Sequence, residues 1–411
     1  MVTERTKTIL LLTSYFAKNS SKTFKPLSTS EWNRLARWLQ TKTINPEDFL
    51  TQESDLLLDK FQDKTVTIER IKYLLERKAA LALALDKWSK AGVWVINRGD
   101  KHFPKQVKDK LKELSPPVFF GIGNIALLNQ KYIGVVGSRK TSEEELNATK
   151  ELGLQISQKG YGVVSGGARG VDESAMIGAL EGGGFSLGYV ADSLIKKSTS
   201  GLFRNHIINN RLCLLSPYNP EAGFNSGNAM GRNKLIYTQS FATIVMKSDV
   251  KGGTWEGAKE NLQKAWVPLW VVDSQEQGNI AIIKKGGKKF SLKSELDIPK
   301  LIKREPTLIT PDLFSAPPSI AIQEEIAPEV KREELRIKIQ EASFFDLFLL
   351  KLLEHFKDKS VTKKELKDTL KLTSSQLDTW LKMGTEKDYL IKKQRPVSFR
   401  LNPKLSIRLV S

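Results

Sequence analysis

Gly137-Ser138-Arg139 closes the apolar run Tyr132–Val136, and Ser165-Gly166-Gly167-Ala168-Arg169-Gly170-Val171-Asp172 closes a second run, Gly162–Val164. Each leads into a helix-like segment, Glu143–Lys159 and Asp172–Glu181. Glycine-rich turns between strand and helix, each carrying an arginine, belong at the carboxyl ends of strands in a parallel sheet, where backbone N–H groups and positive helix N-termini meet anions. The alternation continues outward through strand Phe185–Val190, strand Arg211–Ser216, helix Asn228–Gln239, strand Phe241–Met246, helix Gly253–Ala265 and strand Val267–Val272. These strands are apolar without alternating polar positions, the pattern of a sheet covered on both faces. The predicted fold is therefore α/β, a Rossmann-like doubly wound parallel sheet spanning residues 91–304.

Residues 1–90 read as a separate helical domain of the SAM or helix-hairpin-helix kind. Ser30 is the expected N-cap of a helix with Trp32, Leu35, Ala36 and Leu39 at helical spacing, and a second helix is expected around Ile68–Trp88. Gly92 then crosses into the strand-like Val93–Ile96. Beyond the sheet, residues 305–342 gather Pro306, Pro311, Pro317, Pro318 and Pro328 without a sustained period, which predicts a linker. Residues 343–411 read as helices Phe344–Phe356, Thr362–Leu370 and Ser374–Met383, then strands Tyr389–Ile391 and Val397–Leu401 flanking the basic tip Lys392-Lys393-Gln394-Arg395. That order predicts a winged helix.

Lys and Arg outnumber Asp and Glu by 65 to 46 over 411 residues, a formal charge of +19 that favours a polyanionic partner. Nucleic acid comes first and a membrane surface second; the latter weakens because no apolar run reaches the length of a spanning helix and Thr8–Tyr15 is too short and poorly flanked for a signal peptide. The expected location is the cytoplasm. The single cysteine, Cys213, lies in an apolar run and reads as a core residue, while His102, His206 and His355 sit in unrelated contexts. No metal site and no cofactor is expected.

The turns themselves carry the chemistry. Gly137 permits close approach, Ser138 can donate to a phosphate, Arg139 can grip one bidentately, and Thr141 or Ser142 can cap the following helix. Ser165-Gly166-Gly167-Ala168-Arg169-Gly170 is close to the dinucleotide fingerprint with serine in the first glycine position. No acidic residue ends the next strand, since Asp192 lies past Val190, so a redox dinucleotide is disfavoured. Asp172 is either a helix cap or a partner for Arg169. Gly231-Arg232-Asn233-Lys234 adds two cations and an amide, or a wet helix face. Lys251-Gly252-Gly253-Thr254-Trp255-Glu256-Gly257-Ala258 has the glycine spacing of a P-loop but Ala258-Lys259 in place of its lysine and hydroxyl, which rejects a Walker nucleotidase. Trp255 either stacks on a base or packs between helix and sheet. No Ser–His–Asp set, paired carboxylates or metal cluster accompanies these turns, so the pocket reads as a grip with no catalytic residue.

In this order, Val93–Asp100, Pro116-Pro117-Val118-Phe119-Phe120-Gly121-Ile122-Gly123-Asn124, Val135–Arg139, Ser165–Asp172, Gly231-Arg232-Asn233 and Gly252-Gly253-Thr254 resemble the DprA/Smf family of DNA-processing proteins across roughly half the chain. The chain departs from the family pattern in Ser216–Met230, rich in Asn, Gly and Ser, in Tyr189-Val190-Ala191-Asp192, and in Trp255-Glu256, which marks a divergent branch. The resemblance implies binding of single-stranded DNA by the Rossmann-like domain, a homodimer, and delivery of the strand to a RecA-type recombinase during DNA uptake. Carried onto this sequence, it implies a phosphate site of Gly137, Ser138, Arg139, Ser165, Gly166, Gly167, Arg169, Arg232, Asn233, Gly252, Gly253 and Thr254, to which Lys251 is added from its place beside the fourth turn. The winged helix either binds duplex DNA, through Ser375, Gln376, Thr379, Lys382, Lys392, Lys393 and Arg395, or docks a protein. Two other classes stay open: a nucleotide-binding sensor signalling through the winged helix, and a nucleotide phosphoribohydrolase. The latter needs a carboxylate that Glu256 places too soon after Thr254.

Overall fold

The computed structural model describes residues 2–16, 24–51, 57–58, 61–303, 333–338, 345, 348–349, 351–352, 361–370, 374–394, 397–401 and 405–410. The chain divides into two units, Met1–Thr310 and Pro311–Ser411. The proline-rich stretch expected to be a linker lies almost wholly outside the described residues, as does Arg395.

The first unit is built on one sheet of nine strands: β1 (Trp94–Asn97), β2 (Val118–Gly123), β3 (Tyr132–Val136), β4 (Gly162–Ser165), β5 (Ser186–Tyr189), β6 (Leu212–Ser216), β7 (Ala242–Val245), β8 (Leu269–Val272) and β9 (Lys288–Phe290). Their order is β1-β2-β6-β5-β4-β3-β7-β8-β9. From β6 to β9 every pairing is parallel, while β2 joins β6, and β1 joins β2, antiparallel. The sheet is thus mostly parallel, with an antiparallel edge formed by the residues before Tyr132.

Both faces are covered, which explains the unbroken apolar strands. Ile133, Val135, Val163, Leu212, Leu214, Ala242 and Ile244 enter one core; Tyr132, Val136, Val164, Leu187, Tyr189, Cys213, Leu215 and Val245 enter the other, as the two-residue period of a strand requires. The described N-terminal helices α1 (Glu4–Thr13), α2 (Thr29–Thr41), α3 (Ile68–Leu75) and α4 (Lys78–Lys90) share the first core, with Trp88 edge-on to Phe120 at 5.1 Å between ring centres. Two local expectations are corrected. Ser28, not Ser30, caps α2, because Glu31 reaches back to the Ser28 N–H and closes a capping box. The helix expected across Ile68–Trp88 breaks at Glu76-Arg77, where the Arg77 guanidinium turns to donate to the Leu11 carbonyl and to cover the Phe16 ring at 4.5 Å.

After α5 (Lys105–Leu111), the helices that position the site are α6 (Glu143–Gln158), α7 (Val171–Glu181), α8 (Leu194–Ser198), α9 (Arg204–Ile208), α10 (Ser226–Gln239) and α11 (Gly253–Lys264). The chain runs from β3 through β4 and β5 to β6 in one direction, then returns to β7 on the other side of β3. The carboxyl ends of β3 and β7 therefore flank the topological switch point, where open α/β sheets form a crevice.

In the second unit, β11 (Val361–Thr362), a helix (Lys363–Leu370), a second helix (Ser374–Glu386), β12 (Leu390–Gln394) and β13 (Val397–Leu401) follow one another, after β10 (Glu333–Lys338) and before β14 (Leu405–Val410). The short sheet runs β11-β13-β12, and Phe348, Leu349, Leu366, Leu377, Leu381, Leu390 and Phe399 form its own core.

Candidate phosphate-binding crevice

Val136, Gly137, Ser138 and Arg139 from the β3 turn, Ala168 and Asp172 from the β4 turn, Arg232, Asn233 and Tyr237 from α10, and Lys251, Gly252, Gly253 and Thr254 from the β7 turn line one cavity of about 430 Å³ at the switch point. A neighbouring cavity of about 590 Å³ is lined by Gly166, Gly167, Arg169, Lys196 and Lys197 and shares Arg139, Ala168, Phe224 and Arg232 with the first. Four segments far apart in the chain thus meet in a two-lobed groove.

The backbone explains why these sequences are glycine-rich. At Gly166 a Cβ would collide with the Arg232 guanidinium and the Asp172 carboxylate, so the β4 turn can close over that pair only with glycine. Gly170 and Gly252, at φ of 90° and 96°, start α7 and α11 in a conformation that side-chain-bearing residues rarely adopt. Neither helix has a side-chain cap; on α7 the Val171 and Glu173 N–H groups go to the carbonyls of Ser138 and Ala168, whereas Gly253 and Thr254 at the start of α11 line the first lobe. The helix after the β3 turn is different: Ser142 and Glu145 close a capping box on α6, and Lys247 binds Glu145 at 2.8 Å and Glu276 at 3.1 Å.

Arg232 and Asp172 occupy the floor. They are only 5% and 7% exposed, and Arg232 Nη1 stands 3.9 Å from Asp172 Oδ2. Desolvation pushes the Asp172 carboxyl above its ordinary range, against the pull of Arg232 and of the N–H groups at Ala168 and Gly166. Desolvation likewise lowers the affinity of Arg232 for its proton, with Asp172 opposing and Arg139 adding to the effect. Arg232 Nε has no hydrogen-bond partner among the described residues. Arg232 is thus a deeply buried cation whose charge the fold compensates only in part.

The predicted residues separate by position. Gly137, Ser138, Arg139, Arg232, Asn233, Lys251, Gly252, Gly253 and Thr254 line the first lobe; Gly166, Gly167 and Arg169 line the second. Ser165 is not in either wall: it is fully buried and its hydroxyl donates to the Val135 carbonyl at 2.6 Å, tying β4 to β3. Ser138 is partly engaged, its Oγ accepting from the Lys140 N–H at 3.0 Å, and the Asn233 amide donates to the Gly253 carbonyl at 2.9 Å, fixing α10 to the β7 turn. Asp172 faces Arg232, so it is not the partner of Arg169 that one reading of the sequence offered. Trp255 packs partly buried against the second core with Lys259 above its ring, and Glu256 is bound to Lys259 at 3.0 Å; neither lines the cavities. The phosphoribohydrolase reading thereby loses its carboxylate.

Sequence reasoning missed Phe224, Met230 and Tyr237. Phe224, 58% exposed, lies under the Arg139 guanidinium at 5.0 Å where the two lobes meet. Its place, with Tyr218, as one of two aromatics in the polar stretch between Ser216 and Met230 was the available signal. Tyr237 had none, since its place on α10 reads as core.

Of the second-unit residues that the sequence offered as DNA contacts, Thr379 and Lys382 are exposed, with Lys382 3.8 Å from Glu386. The side chains of Ser375, Gln376, Lys392 and Lys393 lie outside what is described, as does Arg395 entirely.

Residues 94–300, half the chain and the whole nine-strand sheet's core, match the family described as DNA recombination-mediator protein A. The chain belongs to that family. DNA processing protein DprA of Bacillus subtilis is 26% identical over 215 residues, which span 51% of this chain and 71% of that protein. DprA of Streptococcus pneumoniae is 28% identical over 181 residues, 42% of this chain and 63% of that protein. The crystal structure of the pneumococcal DprA superposes with a TM-score of 0.50 at 17% identity, covering 71% of this chain and 95% of that one, a likeness of fold. Among the described residues no helix is long and apolar enough to cross a membrane, and no group of three His, Cys, Asp or Glu side chains is placed to hold a metal.

Proposed function

We propose that the chain is a DNA-processing protein that holds single-stranded DNA by its phosphates in the switch-point crevice, without catalytic chemistry of its own. The observation that carries this reading is the convergence of three turns and the buried Arg232 on one groove whose two lobes share Arg139, Ala168, Phe224 and Arg232. Phosphodiesters need a track of N–H groups and cations, which Arg139, Arg169, Arg232, Lys251 and the uncapped first turn of α11 supply. Bases need faces, and Phe224 offers one at the divide. The charge of +19 adds a salt-sensitive attraction along the whole strand.

Family membership supports the wider role: a homodimer in the cytoplasm that delivers the strand to a RecA-type recombinase during DNA uptake and recombination. Residues 343–411 serve in this reading as a winged helix, which the order helix, helix, strand, strand in the second unit supports, and residues 1–90 as a helical domain. A second reading, a sensor of free nucleotide, draws on the size of the first lobe, about 430 Å³, which suits a mononucleotide. Fluorescence anisotropy with single- and double-stranded oligonucleotides across a salt series tests the proposal. Tight, salt-sensitive single-strand binding that collapses in Arg139→Ala/Arg169→Ala is expected. Binding unchanged in that double variant overturns the assignment of the crevice.

A further inference from the structure

Phe224 is held at the divide by its backbone. Among the described residues its ring belongs to neither core, and the segment that carries it, 217–224, runs from β6 to α10 with open space on both sides. Gly223 lines the second lobe and also a cavity of about 770 Å³ behind it, walled by Tyr15, Phe16, Pro117 and Lys234. A strip of chain between two cavities is fixed by its polar contacts more than by packing.

Those contacts run to three places. The Tyr218 hydroxyl donates to the Asn228 carbonyl at 3.1 Å, on α10 itself. The Pro220 carbonyl accepts from the Ser193 hydroxyl and the Ile195 N–H, each at 3.2 Å, at the head of α8, whose Lys196 and Lys197 line the second lobe. The third place is the helical region of residues 1–90. The Asn219 amide donates to the Tyr15 carbonyl, just past α1, at 3.1 Å, and Glu221 is paired with Lys87 on α4. Asn219 couples these two anchors, its Oδ1 accepting from the Glu221 N–H at 2.8 Å. Asn225 already caps α10, so only Ala222, Gly223 and Phe224 lie between the anchored Glu221 and the fixed start of the helix. Three residues are too few to absorb a shift at Glu221, and the ring moves with it. The Lys87 side chain is 63% exposed, and exposed pairs contribute little to stability; the consequence of this one is where the segment sits.

We propose that residues 1–90 take part in the single-strand grip: Lys87 and the Tyr15 carbonyl, acting through Glu221 and Asn219, position Phe224 beneath Arg139. Lys87 and Asn219 are positioning residues, since neither lines the crevice. The inference rests on the reading of the crevice as a single-strand grip with Phe224 as its base platform.

The test uses the full chain and an oligothymidylate, with wild type, Lys87→Glu and the charge swap Lys87→Glu/Glu221→Lys, and with Lys87→Glu repeated in a Phe224→Ala background. Lys87→Glu sets two carboxylates face to face and should weaken binding about five-fold at an unchanged melting temperature. The swap keeps the wild-type net charge and should restore affinity to within about two-fold. In the Phe224→Ala background Lys87→Glu should change affinity by less than about two-fold, because no ring is left to misplace. Wild-type affinity in Lys87→Glu overturns the inference. So does a loss of equal size in the absence of Phe224, which assigns the effect to net charge, and so does a loss that the swap fails to restore. Hydrogen exchange at the amides of 221–224 reads the anchor without DNA: it should be faster in Lys87→Glu and return to the wild-type rate in the swap, and equal rates in all three proteins overturn the inference. Should wild type bind no strand, the single-strand reading fails, and the exchange rates alone decide whether the anchor stands.

Discussion

Two arginine–carboxylate pairs in this protein are built in opposite ways. In the N-terminal helices, Arg70 meets Glu31 through both guanidinium nitrogens, at 2.8 and 3.1 Å, and its remaining hydrogens go to the carbonyls of Lys25, Pro26 and Thr65. Glu31 also closes the capping box with Ser28. Although desolvation pushes its carboxyl up, hydrogen bonds from Arg70 and Ser28 hold it at about 2. In the crevice, Arg232 stands 3.9 Å from Asp172 with Nε unpaired, and desolvation moves both groups toward their neutral forms. The first pair is satisfied internally and contributes stability. The second is more deeply buried: Asp172 accepts from the Ala168 and Gly166 N–H groups, but Arg232 keeps an unpaired Nε.

The sharpest way to break this contrast is Arg70→Ala. It strands a mostly buried carboxylate and frees three carbonyls, and should destabilise the first unit by about 3–5 kcal/mol in a urea titration. A loss below about 1 kcal/mol would mean that the N-terminal pair is no clamp. Acid titration probes the same pair. The folded Glu31 pKa lies below its ordinary 4.5, at about 2. Its contribution is therefore fully present above pH 4.5 and is lost as the pH falls toward 2, in total about 3 kcal/mol. The stability difference between wild type and Glu31→Gln should shrink over that window, through loss in wild type alone. A difference that stays constant with pH would contradict the assignment.

The satisfied regions were also the legible ones. The parallel sheet was readable because strands such as Tyr132–Val136 are buried on both faces and carry no polar register, and because the glycine turns announce their strand ends. The antiparallel edge was not, since β1 and β2 are paired through contacts that no local period encodes. In the site, Gly137, Arg139 and Gly252–Thr254 were found by their turns, but the roles within it follow from long-range packing. Ser165 belongs to the same motif as Gly166 yet points into the sheet, because alternate residues of a strand face opposite ways. Asp172 found Arg232, sixty residues on, only because α7 and α10 start at the same sheet edge. Tyr237 carries an apolar ring in a core position, and nothing in the sequence tells that its oxygen lacks a partner among the described residues.

Binding provides the next test, with an effect of intermediate size. Phe224→Ala removes the exposed ring beneath Arg139 and should weaken single-strand binding by about 1–3 kcal/mol, the range for one stacked base, while leaving stability within about 0.5 kcal/mol. Phe224→Trp should retain affinity. Loss of stability in Phe224→Ala, with affinity unchanged, would make the ring a packing element and remove the base platform from the divide between the lobes.

A small expected change in stability also comes from a drastic pair of substitutions, Asp172→Asn with Arg232→Met. A buried ion pair with good geometry and full hydrogen bonding would be missed; this one, at 3.9 Å with an unpaired Nε, can be exchanged for two neutral groups at little or no loss while an amide oxygen at position 172 keeps the acceptor for the Ala168 and Gly166 N–H groups. The double variant should melt within about 1 kcal/mol of wild type, in either direction, and should lose the phosphate grip. Arg232→Met alone should be worse than the pair, because it leaves Asp172 buried without its cation, and the measured coupling between the two substitutions quantifies how much of the interaction is mutual. The corresponding exchange of Glu31 and Arg70 for apolar residues should fail to recover, since the cap on α2 and three carbonyl contacts go with it. If both double exchanges cost the same, the distinction between a pair that holds the fold and a pair that waits for a ligand has no energetic basis. If only the crevice pair is dispensable for folding, its burial is explained by the anion it receives.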